Sequence, residues 1–150
     1  MLVADYDIVF QEVPDETTLA LNISQCPHDC PGCHSPHLRQ NVGEQLTEQW
    51  LDKLIERYSY ITCISIQGGD KDWREVEEIA RLIRRKGYKS CWYSGSTHLP
   101  EQLDFSAFDF IKVGPFVEAL GGLKSHNTNQ RFYKVENGKL IDQTPLFWRK

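Results

Sequence analysis

The chain has 150 residues, 40% of them hydrophobic and 25% charged, the make-up of an ordinary globular protein with enough chain for one core. A net charge of −4 argues against a nucleic-acid binder, which would show a basic face. No apolar run approaches the ~18 residues of a membrane span, and Met1-Leu2-Val3-Ala4-Asp5 lacks the charged and long apolar parts of a leader. A single domain over residues 1–150 in a reducing cytoplasm is the expectation.

Tyr6 to Val13 reads as a strand of loose alternation, Pro14-Asp15-Glu16 as a turn, and Thr17 to Ser24 as a second strand. Together they predict a β-hairpin that caps an edge of the sheet. A long loop from Gln25 to about Glu44 follows. It opens with Cys26-Pro27-His28-Asp29-Cys30-Pro31-Gly32-Cys33, three thiols at spacing C-x3-C-x2-C. Thiolates this close on a Pro- and Gly-bearing loop can converge on one soft metal centre. A cubane iron–sulfur cluster takes a ligand on each of four irons. Three from this loop would leave one iron open to a small molecule. Two other readings compete. Cys26, Cys30 and Cys33 with His34 or His37 form a Cys3His zinc set, although zinc knuckles usually bring ligands in two separated pairs. A disulfide framework is disfavoured by an odd total of five cysteines.

Thr47 is a fair helix N-cap, and Trp50, Leu51, Leu54, Ile55 and Tyr58 follow at helical spacing. Ile61 to Ile66 is a short strand rich in β-branched residues, stopped by Gly68-Gly69-Asp70. A second helix spans Trp73 to Lys86. Glu75, Glu77 and Glu78 lie at its start, Arg84, Arg85 and Lys86 at its end, and Gly87 stops it. Tyr88 to Ser94 and Phe108 to Val113 are further strands, with room for no more than a two-turn helix between them. Val117 to Leu120 suits one helical turn. Arg131 to Val135 and Lys139 to Asp142 flank Glu136-Asn137-Gly138, a strong hairpin signal. Strand–helix–strand alternation argues for a parallel sheet, and 150 residues give only about half of the ~250-residue eight-fold barrel. The expected fold is therefore α/β, an open, partial TIM-like β/α barrel with an N-terminal β-hairpin. Sites in such sheets collect at the C-terminal ends of strands, here Ser24, Gln67, Ser94 and Val113. At about 3.3 Å per residue, Cys63 and Cys91 fall roughly 10–13 Å below that rim. They read as buried core thiols rather than a fourth ligand.

The cysteine triplet resembles the cluster motif of the radical S-adenosylmethionine (radical SAM) enzymes. Gly32-Cys33-His34, Gly68-Gly69-Asp70, Trp92-Tyr93-Ser94-Gly95 and Thr128-Asn129-Gln130-Arg131, in that order, resemble the family of activating proteins of the anaerobic ribonucleoside-triphosphate reductase. The resemblance implies the partial barrel and one four-iron four-sulfur (4Fe-4S) cluster per chain, held by Cys26, Cys30 and Cys33. It implies S-adenosylmethionine chelated on the open iron and split to a 5′-deoxyadenosyl radical, which installs a glycyl radical on a loop of the reductase large subunit. A flavodoxin or ferredoxin would supply the electron. By the same resemblance Gly68, Gly69 and Asp70 receive the amino group of the cofactor, and Gly32 and His34 border its adenine. Ser94, a hydroxyl at a strand end, suits a hydrogen bond to the methionine or ribose part or, equally, a helix cap. Many relatives follow the glycines and acid with Pro, where this chain has Lys71, and carry an acid before Gly114, where it has Val113. Lys112 is a weak substitute for that acid. No individual role follows for Lys112, Asn129, Gln130 or Arg131. Two further readings stand beside this one: a radical SAM enzyme acting on a small molecule, of the deazapurine-pathway type, and a zinc-stabilised Cys3His binding module.

Overall fold

A computed structural model describes residues 1–24 and 43–148. The strands are β1 (Leu2–Val9), β2 (Thr18–Ile23), β3 (Glu44–Gln45), β4 (Cys63–Gln67), β5 (Lys89–Tyr93), β6 (Phe110–Val113), β7 (Arg131–Glu136) and β8 (Lys139–Asp142). The helices are α1 (Glu48–Arg57) and α2 (Trp73–Arg85). The strands form one sheet in the order β3-β1-β2-β4-β5-β6-β7-β8, which the described residues leave open. Its centre, β2-β4-β5-β6, is parallel, and β1, β7 and β8 add antiparallel strands on the two sides.

The local chemistry explains most of these elements. The Thr47 side chain accepts from Trp50 N at 3.1 Å and starts α1. Asp72 does the same for α2 through Glu75 N at 3.3 Å. Asn137 and Gly138 both take positive φ, 51° and 74°, which gives the turn between β7 and β8 the twist that antiparallel strands need. The segment expected to hold at most a short helix, His98 to Ala107, forms only a 3-10 turn at Phe105–Ala107.

Strand alternation sorts the core into two faces. Ile64, Ile66, Trp92 and Ile111 meet Val76, Ile79, Ala80 and Ile83 of α2. The valine and isoleucine side chains among them each contribute about 1.5–3 kcal/mol. On the other face Cys63, Cys91, Phe110 and Phe132 pack with Val13, Leu123 and Phe147. Phe132 lies 5.6 Å from Phe110 and 5.1 Å from Phe147, ring centre to ring centre.

The first strand differs from the sequence reading, which placed it over Tyr6 to Val13. It runs over Leu2–Val9, and the chain then crosses the second face. Val13 is fully buried there, so its apolar side chain is satisfied by packing against that face and not by strand pairing. Glu12 fastens the crossing: its carboxylate accepts from Gln67 Nε2 and its carbonyl from the Tyr93 hydroxyl.

Cys63 and Cys91 are free, buried thiols on this second face. Burial pushes the Cys63 thiol from 9.0 up to about 12, and raises that of Cys91 as well. The unfolded chain gives up the Cys63 proton near 9.0 and the folded chain only near 12. The stability tied to this proton is therefore complete below 9.0 and is lost between 9.0 and about 12. Two outcomes are expected: neither thiol reacts with a thiol reagent in the folded protein at about pH 8, and the urea midpoint falls less steeply from about pH 9 to about pH 11 in Cys63→Ala than in the parent. Rapid labelling of the folded chain would contradict this placement.

Candidate functional site

The parallel strands bring their C-terminal ends to one edge of the sheet. Asn22, Gln67, Tyr93 and Lys112 lie in a single row, each paired with the next. The residues that follow them are the motifs singled out in the sequence. Ser24 follows β2 directly, its amide donating to Leu2 O at 3.0 Å. Its hydroxyl is buried and has no hydrogen-bond partner among the described residues. Gly43, where the described chain resumes, lies against Val3 so closely that a Cβ would sit 2.0 Å from Val3 O, and its φ is +117°. Only glycine fits there. Ser24 and Gly43, the described residues on either side of 25–42, are thus held beside Leu2 and Val3. Cys26, Cys30, Gly32, Cys33 and His34 lie in that segment, outside the described residues.

Gly68 and Gly69, at the end of β4, both have positive φ. Gly68 N donates to Tyr93 O at 3.0 Å, and Gly68 O accepts from Trp92 Nε1 at 2.7 Å, so the turn is laced to β5. A Cβ on Gly69 would meet Val76 Cγ2 at 2.6 Å, so a larger residue would push α2 away. The turn delivers Asp70 to the end of β5. Asp70 Oδ1 accepts from the Ser94 hydroxyl and Oδ2 from Gly95 N at 3.0 Å. Ser94 Oγ in turn accepts from Ser96 N at 3.1 Å. The Ser94 side chain is therefore buried against Asp70.

The end of β6 carries a charge the sequence reading left without a role. Lys112 is buried, and its ammonium donates to Gly114 O at 2.7 Å and Ser94 O at 3.2 Å. It lies 5.8 Å from the centre of the Tyr93 ring. The polar stretch Thr128 to Gln130 braces the same region. Gln130 Nε2 donates to Gly114 O at 3.4 Å, Asn129 Nδ2 to Pro115 O at 3.1 Å and Thr128 Oγ1 to Gly121 O at 3.1 Å. Arg131 turns to Asp142 on β8, at 3.5 Å. Two features escaped the sequence reading: the buried Lys112, signalled only by a charge inside the apolar run Phe110-Ile111-Lys112-Val113, and Glu12, for which the sequence carries no signal.

A cavity of about 340 Å³ opens at this edge, lined among others by Ile23, Ser24, Gly69, Lys71, Asp72 and Glu75. Ser24 stands two residues before Cys26 and Gly69 one before Asp70. The donor set of the cysteine segment, three thiols at close spacing, fits a soft iron–sulfur centre. The buried, unsatisfied Ser24 hydroxyl leaves a polar contact to be made on that side. Among the described residues no three His, Cys, Asp or Glu side chains are gathered to hold a metal.

Hydrogen bonds to a charged group contribute about 1.5–3 kcal/mol. Asp70→Ala, which releases Ser94 and Gly95 together, is expected to lower the unfolding free energy by about 2 kcal/mol in urea titration. Asp70→Asn keeps one acceptor and should lose less. An unchanged midpoint in Asp70→Ala would show that the carboxylate does not hold the end of β5.

Residues 17–134 match the family described as a 4Fe-4S single cluster domain. Over 75 residues the chain is 33% identical to the anaerobic ribonucleoside-triphosphate reductase-activating proteins of Salmonella typhi and of Salmonella typhimurium strain LT2. That stretch is 46% of this chain and 49% of each relative, so the chain spans about half the length of the curated relatives it matches. No solved structure matches. The family match runs across both the cysteine segment and the parallel strands that follow it in the chain, and by that match the chain belongs to the 4Fe-4S single cluster domain family.

Proposed function

We propose that this chain is a radical SAM activase that installs a glycyl radical on an anaerobic ribonucleotide reductase. The observation that carries the reading is the shared cavity of Ser24 and Gly69. It joins the strand end that leads into the cysteines to the strand end that presents Asp70. In this reading the open sheet is a partial TIM-like barrel of the radical SAM type. Cys26, Cys30 and Cys33 hold the cluster, and the names of the Salmonella relatives support the reductase as partner.

The cluster, which Cys26, Cys30 and Cys33 would hold, and S-adenosylmethionine would together supply one-electron radical chemistry directed at a glycine of the reductase, with the electron coming from the external donor. The chain's own residues bind and orient. Asp70, anchored through Ser94 and Gly95, is the carboxylate assigned to the cofactor's amino group. The two positive-φ glycines let the backbone approach that group closely. Gly32 and His34 are assigned to the adenine side, and Ser94 acts through Asp70. The reductase loop must come within about 3–3.5 Å of the reacting carbon, so the partner closes the open side of the sheet. A flavodoxin or ferredoxin donor and a cytoplasmic setting complete the proposal.

Anaerobic reconstitution followed by assay for 5′-deoxyadenosine, with and without the reductase, tests it. The expected outcome is an iron-loaded protein, cofactor cleavage and a glycyl doublet in electron spin resonance when reductase is present. Cleavage without a doublet would point to a small-molecule substrate. A colourless, zinc-rich preparation would point to the Cys3His module.

A further inference from the structure

The Ser94–Gly95 turn is gripped from both neighbouring strands by opposite charges. From β4, the Asp70 carboxylate takes the Ser94 hydroxyl and the Gly95 amide. From β6, the Lys112 ammonium takes the Ser94 carbonyl at 3.2 Å. Lys112 is itself held in place. The residue is 8% exposed, it lies between Tyr93 and Phe132 in the sheet register, and its second acceptor, Gly114 O, is shared with Gln130. Gly114 has φ +107° and lies against the Gln130 backbone, 3.1 Å from a would-be Cβ to Gln130 Cα, so that carbonyl has little freedom to move. One chain of hydrogen bonds thus runs from Gln130 through Gly114, Lys112 and Ser94 to Asp70.

We propose that Lys112 is a positioning residue for Asp70: by holding the Ser94 carbonyl it aims the Ser94 hydroxyl and the Gly95 amide at the Asp70 carboxylate, and so fixes the acid that receives the cofactor's amino group. A buried ammonium is costly unless its donors are met. A lysine that served packing alone would be replaced at no loss by an apolar side chain of its shape. The geometry gives this one a directed task, because one of its acceptors belongs to the residue that donates to Asp70. The proposal rests on the radical SAM reading only for the identity of the ligand at Asp70. The brace itself is a property of the chain.

The test is a double-mutant cycle read in two ways. In the chain without cofactor, amide hydrogen exchange at Gly95 reports the grip directly. Lys112→Met is expected to speed it about tenfold at an unchanged urea midpoint, and Lys112→Arg to stay within about twofold of the parent. In the anaerobically reconstituted protein, S-adenosylmethionine binding by calorimetry is expected to weaken about tenfold in Lys112→Met and in Asp70→Asn. The double variant should also weaken about tenfold and not about a hundredfold, because both changes act on the same turn. Additive losses, or a Gly95 amide indifferent to Lys112→Met, would overturn the proposal. If the parent protein binds no S-adenosylmethionine, the radical SAM reading fails, while the exchange measurement still decides the brace. Should Lys112→Met yield too little folded protein, Lys112→Gln, which keeps one amide donor, is measured in its place by the same exchange criterion.

Discussion

The structure depends on the register of its parallel strands. Asn22, Gln67, Tyr93 and Lys112 are paired across β2, β4, β5 and β6, so four strands end at the same level. A slip of one residue on any of them would exchange its two faces. It would send Ile64 and Ile66, or Trp92, away from α2 and bring Cys63 or Cys91 against it. The apolar face therefore fixes the level at which the polar edge is assembled. Ser24, Gly68, Ser94 and Gly114 come together because Leu21, Ile66, Trp92 and Ile111 are buried on one side.

The second face is unusual in what it buries. Thr18, Ser65 and two thiols line it at the bottom, and Gln67, Tyr93 and Lys112 at the top. The loop through Glu12 and Val13 and the turn carrying Phe147 cover it. Polar groups this deep are costly unless they are bonded. Toward the top edge they are bonded, Gln67 to the Glu12 carboxylate and Tyr93 and Lys112 to backbone carbonyls. That is the arrangement expected where a sheet must hold a ligand-binding edge rigid.

Much of this was legible in the sequence because local signals agreed. Thr47 before an apolar stripe, the charge gradient from Glu75 to Arg85 and Asn137-Gly138 between two strands each mark an element by chemistry that acts within a few residues. The cysteine triplet and Gly68-Gly69-Asp70 were legible as motifs for the same reason. What stayed hidden involves partners far apart in the chain. Nothing near Val13 shows that it packs beneath Cys63 and Cys91 instead of extending β1, and so the first strand was read several residues late. Ser94 showed a hydroxyl at a strand end. That the hydroxyl faces Asp70, 24 residues earlier, follows only from the register of β4 and β5. Lys112 presented a charge in an apolar run, with no hint that its acceptors are the carbonyls of Ser94 and Gly114.

The central claim is a cluster held by three cysteines at this edge, with one iron left for a cofactor that Asp70 helps to bind. Electron spin resonance of the reduced, anaerobically prepared protein, recorded before and after addition of S-adenosylmethionine, tests it most directly. The account predicts the signal of a reduced 4Fe-4S cluster whose g values shift when the cofactor is added. A signal that the cofactor leaves unchanged, or a protein that carries zinc and no iron, would contradict it.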